Sequence, residues 1–331
     1  MLRFIVRRFV SLVVVLFSLS VLVFVLQRVG NADPVRAYLG PNASQAAIAA
    51  TRIKFGLDKP LIVQYFDYLG GLFHGDLGMS YSTRRPVAVE LADKVPATLE
   101  LAAWVLFFAI ILAVILAGVY TLKGPVSGVI RFVFFSFASA PSFLLATLML
   151  LFFFKQLHWF PAVGRITDTS GGGPTGFYVL DGLLTGNLAY SLDAIQHLVL
   201  PALAASLGLG VALARVLADG LSSGMASNYA RTARSLAETE RSILFRHSLR
   251  NASSPALSML GVLSGAMLSS LVVVEQIFSW NGLGQYLSTA IASADFPAVA
   301  GVSLVLGAVY VILTAIVDVV LALVDPRVKL T

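Results

Sequence analysis

Six ionisable residues, Glu100, Lys155, His197, Arg215, Glu275 and Asp318, stand near the ends of long apolar stretches of this chain. A charge in hydrocarbon is costly, so such residues either serve transport or are relieved by position and partner. A proton relay would need them chained across the middle of the spans. Their places near span ends suit helix capping and snorkelling instead. Catalytic patterns are missing. No lysine follows a glycine, so the chain has no phosphate-cradling Gly-Lys-Ser/Thr loop of its own. The His-Glu-x-x-His spacing of zinc proteases does not occur, and Gly261-Val-Leu-Ser264-Gly265 is one residue too long for Gly-x-Ser-Gly chemistry. The absence of cysteine excludes disulfides and thiolate metal sites.

The densest set of side chains able to hold a partner lies between residues 219 and 255, reading MASNYARTARSLAETERSILFRHSLRNASSP from Met225. On a helix over 228–237, Tyr229, Thr232, Ala233 and Leu236 share one face at i, i+3, i+4 and i+7, flanked by Arg231 and Arg234. Thr239 is placed to cap a second helix, and Glu240 suits its positive end. Ile243, Leu244, Phe245 and Leu249 give that helix an apolar side, and Arg246 and Arg250 extend the basic run. Two short helices meeting at a small turn, parallel to a membrane, are expected. They suit either an amphipathic loop on anionic lipid or a knob, with a small-residue apex at Ala233 and Ala237, that enters a cleft on a soluble partner.

These residues need a scaffold, and composition says what kind. Of 331 residues, 58% are hydrophobic and only 12% charged; a soluble domain carries about 25% charged residues. An all-α, polytopic membrane protein follows. The net charge of +6 reflects topology, because Lys and Arg gather on the cytoplasmic face, and nucleic-acid binding is a poor reading of it. Six stretches reach the ~20 residues that a crossing needs: 9–26, 98–122, 132–154, 197–217, 255–278 and 298–324. The first run is long and LQRVGNADP offers no clear small-x-small cleavage pattern, so it is read as a retained span rather than a signal peptide. Arg3, Arg7 and Arg8, Lys123 and Arg131, the arginines of 219–254, and Arg327 and Lys329 place both termini and that loop in the cytoplasm. Segments 29–97, 155–196 and 279–297 then lie outside. The first of these predicts a small helical cap: Ser44 as N-cap, Gly56 at a helix end, Pro60 opening the next helix, and Ile62, Tyr65, Phe66 and Leu69 as its apolar pattern. The run Gly171-Gly172-Gly173-Pro174 predicts a flexible turn.

NYARTARSLAE resembles the EAA coupling motif of binding-protein-dependent ABC importer permeases, and RHSLRNASSP its continuation in the dipeptide/oligopeptide family. Further matches are GLDKPLIVQYFDYLGGLFHGDLGMSYSTRRPV, VPATLELA, HLVLPALA, VVVEQIFSWNGLGQYL and DPRVK, in order along almost the whole chain. Two departures stand in the coupling motif. Asn228 replaces the usual acid, and Leu236-Ala237 the usual Lys-Gly, with Ala237 expected to adopt a helical or type I turn. The resemblance implies a type I importer (MetI-like) bundle of six transmembrane helices. Its parts would be 1–29 (N-terminus and first span), 30–94 (external cap), 95–325 (permease domain) and 326–331 (cytoplasmic tail). It implies a multi-pass protein of the bacterial inner membrane that is not an enzyme and binds no cofactor, with ATP and Mg on partner subunits. Those partners would be a second homologous permease, two ATP-binding cassette subunits and an extracytoplasmic substrate-binding protein, within membrane lipid. Tyr229, Arg231, Thr232, Ala233, Arg234, Ala237, Arg246 and Arg250 would carry the coupling to the ATPases. The solute would be a di- or oligopeptide, or alternatively nickel, an oligosaccharide or an opine-like compound; an ion-coupled secondary transporter is the other class. The 30–95 cap and the 279–297 loop are candidates to meet the binding protein, although SWNGLGQY fits a structural turn equally well.

Overall fold

The computed structural model describes residues 2–29, 34–40, 42–121, 125–167 and 172–325. Lys123, Gly171, Arg327 and Lys329, named above, lie outside them. Among the described residues, five helices are long and apolar enough to cross a membrane. They lie in α1 (Leu2–Val29), α5 (Val87–Thr121), α9 (Leu188–Ala226), α12 (Leu249–Ile277) and α14 (Phe296–Val324). A sixth candidate is a pair, α6 (Pro125–Ala138) and α7 (Ser142–Met149), bent by 107° and prolonged by a π-helical stretch, Leu150–Gln156. The third span expected over 132–154 is therefore broken. Pro141 supplies the reason, because it has no N–H to give and disfavours helical backbone at Ala140. Pro201, by contrast, lies inside α9 without ending it.

Contacts in the first half of α5 and at its end decide whether the bent pair crosses. The pair begins just after the end of α5. The loop that follows it returns to the first half of α5, where Arg165 bonds Glu100 at 2.7 Å. Glu100 lies 21 residues before Thr121, the last residue of α5, about 32 Å at 1.5 Å per residue, so α6 and α7 together traverse the bundle. Six crossings result. One end gathers the start of α1, the end of α9 and the end of α14. The other gathers α2 (Pro34–Leu39), α3 (Gln45–Lys54), α4 (Leu61–Phe73), α8 (Tyr178–Leu184) and α13 (Leu283–Ala292).

α9 is the central helix. In its most apolar 18 residues 72% are buried, against 11% in α1 and α14. It packs chiefly on α5 and α12, and Leu101, Val105, Leu198, Leu200, Leu268 and Leu271 fill the space between them. Lipid is as apolar as leucine, so close packing rather than escape from water holds such helices together. Gly210 shows the fit: a Cβ there would lie 2.8 Å from Leu112 Cδ2 and 3.1 Å from the Ala109 carbonyl. Outward faces carry large apolar side chains such as Phe9, Phe107, Ile110 and Ile316.

The cap forms largely as its sequence dictates. Ser44 Oγ accepts from the Ala47 amide, Gly56 takes φ +64° after α3, and Pro60 precedes α4. The packed face of α4 differs from the expected one. Gln64, Tyr65, Tyr68 and Leu69 turn inward, with Tyr65 sharing a hydrogen bond with Ser20 of α1 and meeting the Phe24 ring edge-on. Ile62 and Phe66 are exposed. Gln64 donates to the Leu57 and Lys59 carbonyls and the Tyr65 hydroxyl meets Ser20, contacts that hydropathy alone does not register.

Candidate functional site

The 219–254 segment builds one short helix, and its second helix is the beginning of the fifth span. α10 (Asn228–Ser235) is capped by Ser227, whose Oγ accepts from the Ala230 amide. Its buried side is Ala230 and Ala233, set against Ile243 and Met225. Tyr229, Thr232 and Leu236 face outward, so the packed stripe is rotated one position from the expected face. The second helix begins at α11 (Glu240–Ser242), capped by Thr239 Oγ1 on the Ser242 amide at 3.3 Å. It does not end before the membrane. It widens into π-helix over Ile243–Ser248 and runs on as α12, a continuous helical path from Glu240 to Ile277. The fifth span thus starts 15 residues earlier than the 255 expected. Ile243 is its fully buried anchor, while Phe245 is 65% exposed.

The turn between α10 and α11 closes by two crossing bonds: Glu238 N–H to Ala233 O at 3.1 Å, and Ala237 N–H to Arg234 O at 3.0 Å. This Schellman arrangement needs left-handed backbone at the residue after the helix cap. That residue is Ala237, at φ +60°. The expected helical or type I geometry is incorrect: the hydrogen-bond pattern fixes the left-handed conformation whatever the side chain.

Arginine placement separates the candidates. Arg234 folds back, bonding Glu240 through Nε and Nη2 at 2.6 and 3.0 Å and the Met225 carbonyl at 3.1 Å. It closes the knob. Arg231 is exposed with no ion pair among the described residues. Arg250 donates to the Val324 carbonyl at 3.0 Å, tying α12 to the last turn of α14. Tyr229, Thr232, Ala233, Leu236, Arg246 and Arg250 all line one groove of about 740 Å3. Burial alone would raise the Tyr229 hydroxyl. Hydrogen bonding with Asn251, Ser248 and Ser227 brings it below the usual tyrosine value. Five of the eight sequence-named coupling residues, Tyr229, Thr232, Ala233, Arg246 and Arg250, line this groove; Arg231 and Arg234 do not, and Ala237 forms the turn. Glu238, His247 and Asn251 also line the groove and were not named from sequence. Residues 246, 247, 250 and 251 share one helical face, a signal visible only once the helix is taken back to 240.

At the opposite end, carboxylates act as caps. Glu275, fully buried, accepts from the Gly284 and Gln285 amides at the start of α13 and from Thr98 Oγ1. Glu100 accepts from Val179 N–H in the first turn of α8 and pairs with Arg165, which lies 3.8 Å from the Tyr178 ring centre. Trp280 is 1% exposed, with Nε1 donating to the Ala97 carbonyl; Leu283 and Tyr286 are buried beside it. SWNGLGQY is thus a packed turn in this chain. The remaining span-end charges are also placed. Asp318 pairs with Arg8 and His197 contacts Asp193. Arg215 lies over the Phe135 ring, while Lys155 is exposed. No group of three or more metal-ligating side chains occurs among the described residues.

Residues 109–330 match the family described as binding-protein-dependent transport system inner membrane component, and residues 1–102 match its N-terminal component. The chain belongs to this family. It is a permease-type transport subunit of ABC importers, not an enzyme, with the MetI-like all-helical fold. One relative is a probable D,D-dipeptide transport system permease protein, DdpB, of Escherichia coli K12, 36% identical over 96% of this chain and 95% of its own length. A second is a di/tripeptide transport system permease protein, DppB, of Pseudomonas aeruginosa UCBPP-PA14, 34% identical over 99% of each chain. A third is the glutathione transport system permease protein GsiC of Escherichia coli K12, 30% identical over 99% of each. This importer permease therefore works with ATPase and binding-protein partners at the inner membrane.

Proposed function

We propose that the permease supplies half of the translocation pore of a peptide importer, with a second homologous permease forming the other half. Two ATP-binding cassette subunits, holding ATP and Mg, dock at the end that bears α10, and a substrate-binding protein delivers peptide at the opposite end. The α10 end and both termini are cytoplasmic. Residues 1–29, 30–94, 95–325 and 326–331 serve as first span, external cap, permease bundle and tail. Relatives named for dipeptides, di/tripeptides and glutathione support the peptide class.

One observation carries the coupling assignment. α10 is held to the helical path of α12 by the closed turn, by Arg234–Glu240 and by Ile243, while Tyr229, Thr232 and Leu236 stay open. A partner that grips the open face moves the fifth span with it. ATP binding and loaded binding protein then favour the same state of a two-state bundle. Arg231, Leu236 and Arg246 form the gripped surface; Arg234, Ala237 and Arg250 keep it in place.

Arg231→Glu is the clean test, because Arg231 has no structural bond to lose. ATPase subunits should fail to co-purify with the variant and uptake should stop, with expression unchanged. Normal assembly and transport in Arg231→Glu and in Leu236→Asp would reject the docking surface.

A further inference from the structure

The central helix has one open line. From His197 to Leu221 only Gly208, Arg215 and Asp219 are exposed, and they fall on one face at spacings of seven and four. Arginine and aspartate are costly against hydrocarbon, and a bare glycine offers lipid nothing of the Phe, Ile and Val that this chain presents on its outer faces. Two cavities follow the line. One, of about 230 Å3, lies at the bend after α6 and is lined by Ala140, Ser142, Gly208, Ala212, Met267 and Ser270. The other, of about 570 Å3, lies towards the α10 end and is lined by Tyr120, Arg131, Phe135, Arg215, Asp219 and Ser222.

We infer that this face is the wall of the solute path, and that the larger cavity holds a short peptide by its two charged ends. The inference rests on the importer reading above and names where the solute is gripped. Arg131 and Arg215 have no carboxylate bonded to them within the chain among the described residues. Arg131 Nε donates to the Ser127 carbonyl, and Arg215 lies over Phe135. Guanidinium groups match a carboxylate in shape and charge. Asp219, one helical turn beyond Arg215, adds the opposite charge. That mixture suits a zwitterion with a free carboxylate and ammonium. A lipid phosphate has nothing to gain from Asp219. The volume falls in the usual range for small-molecule sites.

The chain has no cysteine, so introduced thiols report without background. In the whole importer, reconstituted in nanodiscs, Ala212→Cys and Ser222→Cys would be treated with sulfonatoethyl and trimethylammonioethyl methanethiosulfonate. Labelling would be read from the mass of this chain. Both positions should label. Replacing Arg131 and Arg215 by Gln should lower the anionic-to-cationic rate ratio at Ser222→Cys by about fivefold, the effect of removing two nearby charges in a wet site. Lys at both positions should restore it. Alanyl-alanine at millimolar concentration should slow labelling, and alanyl-alanine amide should slow it less. Unreactive thiols would mean that lipid or the second permease covers this face, and would overturn the inference. So would an unchanged ratio in the Gln variant, or loss of a co-purifying phospholipid from that variant. Co-purification of the ATPases is scored separately; if they are absent the importer assembly fails, whichever way the thiols react.

Discussion

Ala237 occupies a position where the hydrogen bonds of the turn demand left-handed backbone and the side chain resists it. An L-residue there costs about 1–2 kcal/mol, and glycine escapes that cost while losing about 0.5–1 kcal/mol of chain entropy on folding. Ala237→Gly should thus stabilise the turn by roughly 0.5–1 kcal/mol, and hydrogen exchange of the α10 amides should slow two- to fivefold. Arg234 and Glu240 give a pH signature at the same scale. The Arg234 hydrogen bond holds the Glu240 carboxyl below its usual range. A lowered folded value means the stabilisation is complete above the unfolded carboxylate range and fades as pH falls through the folded one. α10 protection should be level from pH 8 to about pH 5 and fall below about pH 4, and Glu240→Gln should flatten that dependence. The residue types of the knob, its cap at Thr239 and its basic flanks were legible in the sequence; the cap at Ser227 came only with the structure. The rotation of its packed face was not, because Ala230 and Tyr229 both fit an amphipathic pattern. Only the seat beneath, formed by Ile243 and Met225, selects the smaller residue, while Gly224 leaves room for the Tyr229 hydroxyl. A Cβ at Gly224 would stand 2.6 Å from the Tyr229 hydroxyl.

Elements show the same division. Apolar length found the spans, but it showed neither the break at 141 nor that α11 and α12 are joined through π-helical turns. Composition changes sharply at the membrane surface, whereas the helix does not. Buried carboxylates at the far end were legible as helix-end groups without their partners. Glu275 holds two amides and the Thr98 hydroxyl in a site that water does not reach. Removing it leaves those donors unpaired. Glu275→Ala should cost about 3 kcal/mol and lower the midpoint of thermal unfolding in detergent by several degrees. Glu275→Gln keeps one acceptor oxygen and should recover about half of that. An unchanged midpoint in Glu275→Ala would mean that α13 is held by Leu283 and Tyr286 alone.

For the whole molecule, the number of crossings decides which face each loop occupies. If the bent pair turned back within the membrane, five crossings would remain. The arginine-rich segment around α10 would then lie opposite the arginines at the start of α1. The Arg165–Glu100 bond in the first half of α5 and the start of α6 just after its end require a sixth crossing. The two basic clusters then share a side, as the charge bias of short loops demands. Arg8–Asp318 and the Arg250–Val324 bond draw α1, α12 and α14 together on that side. The order is what a machine driven from one face needs, with the gripped helix and the central path both reaching the same end. Reporter fusions test it directly. Alkaline phosphatase should be inactive when fused after residue 240 or residue 331 and active when fused after residue 165 or residue 295, with the reverse pattern for green fluorescent protein. Activity after residues 240 and 331 together with inactivity after residues 165 and 295 would restore the five-crossing arrangement, and would move the ATPase-facing surface away from α10.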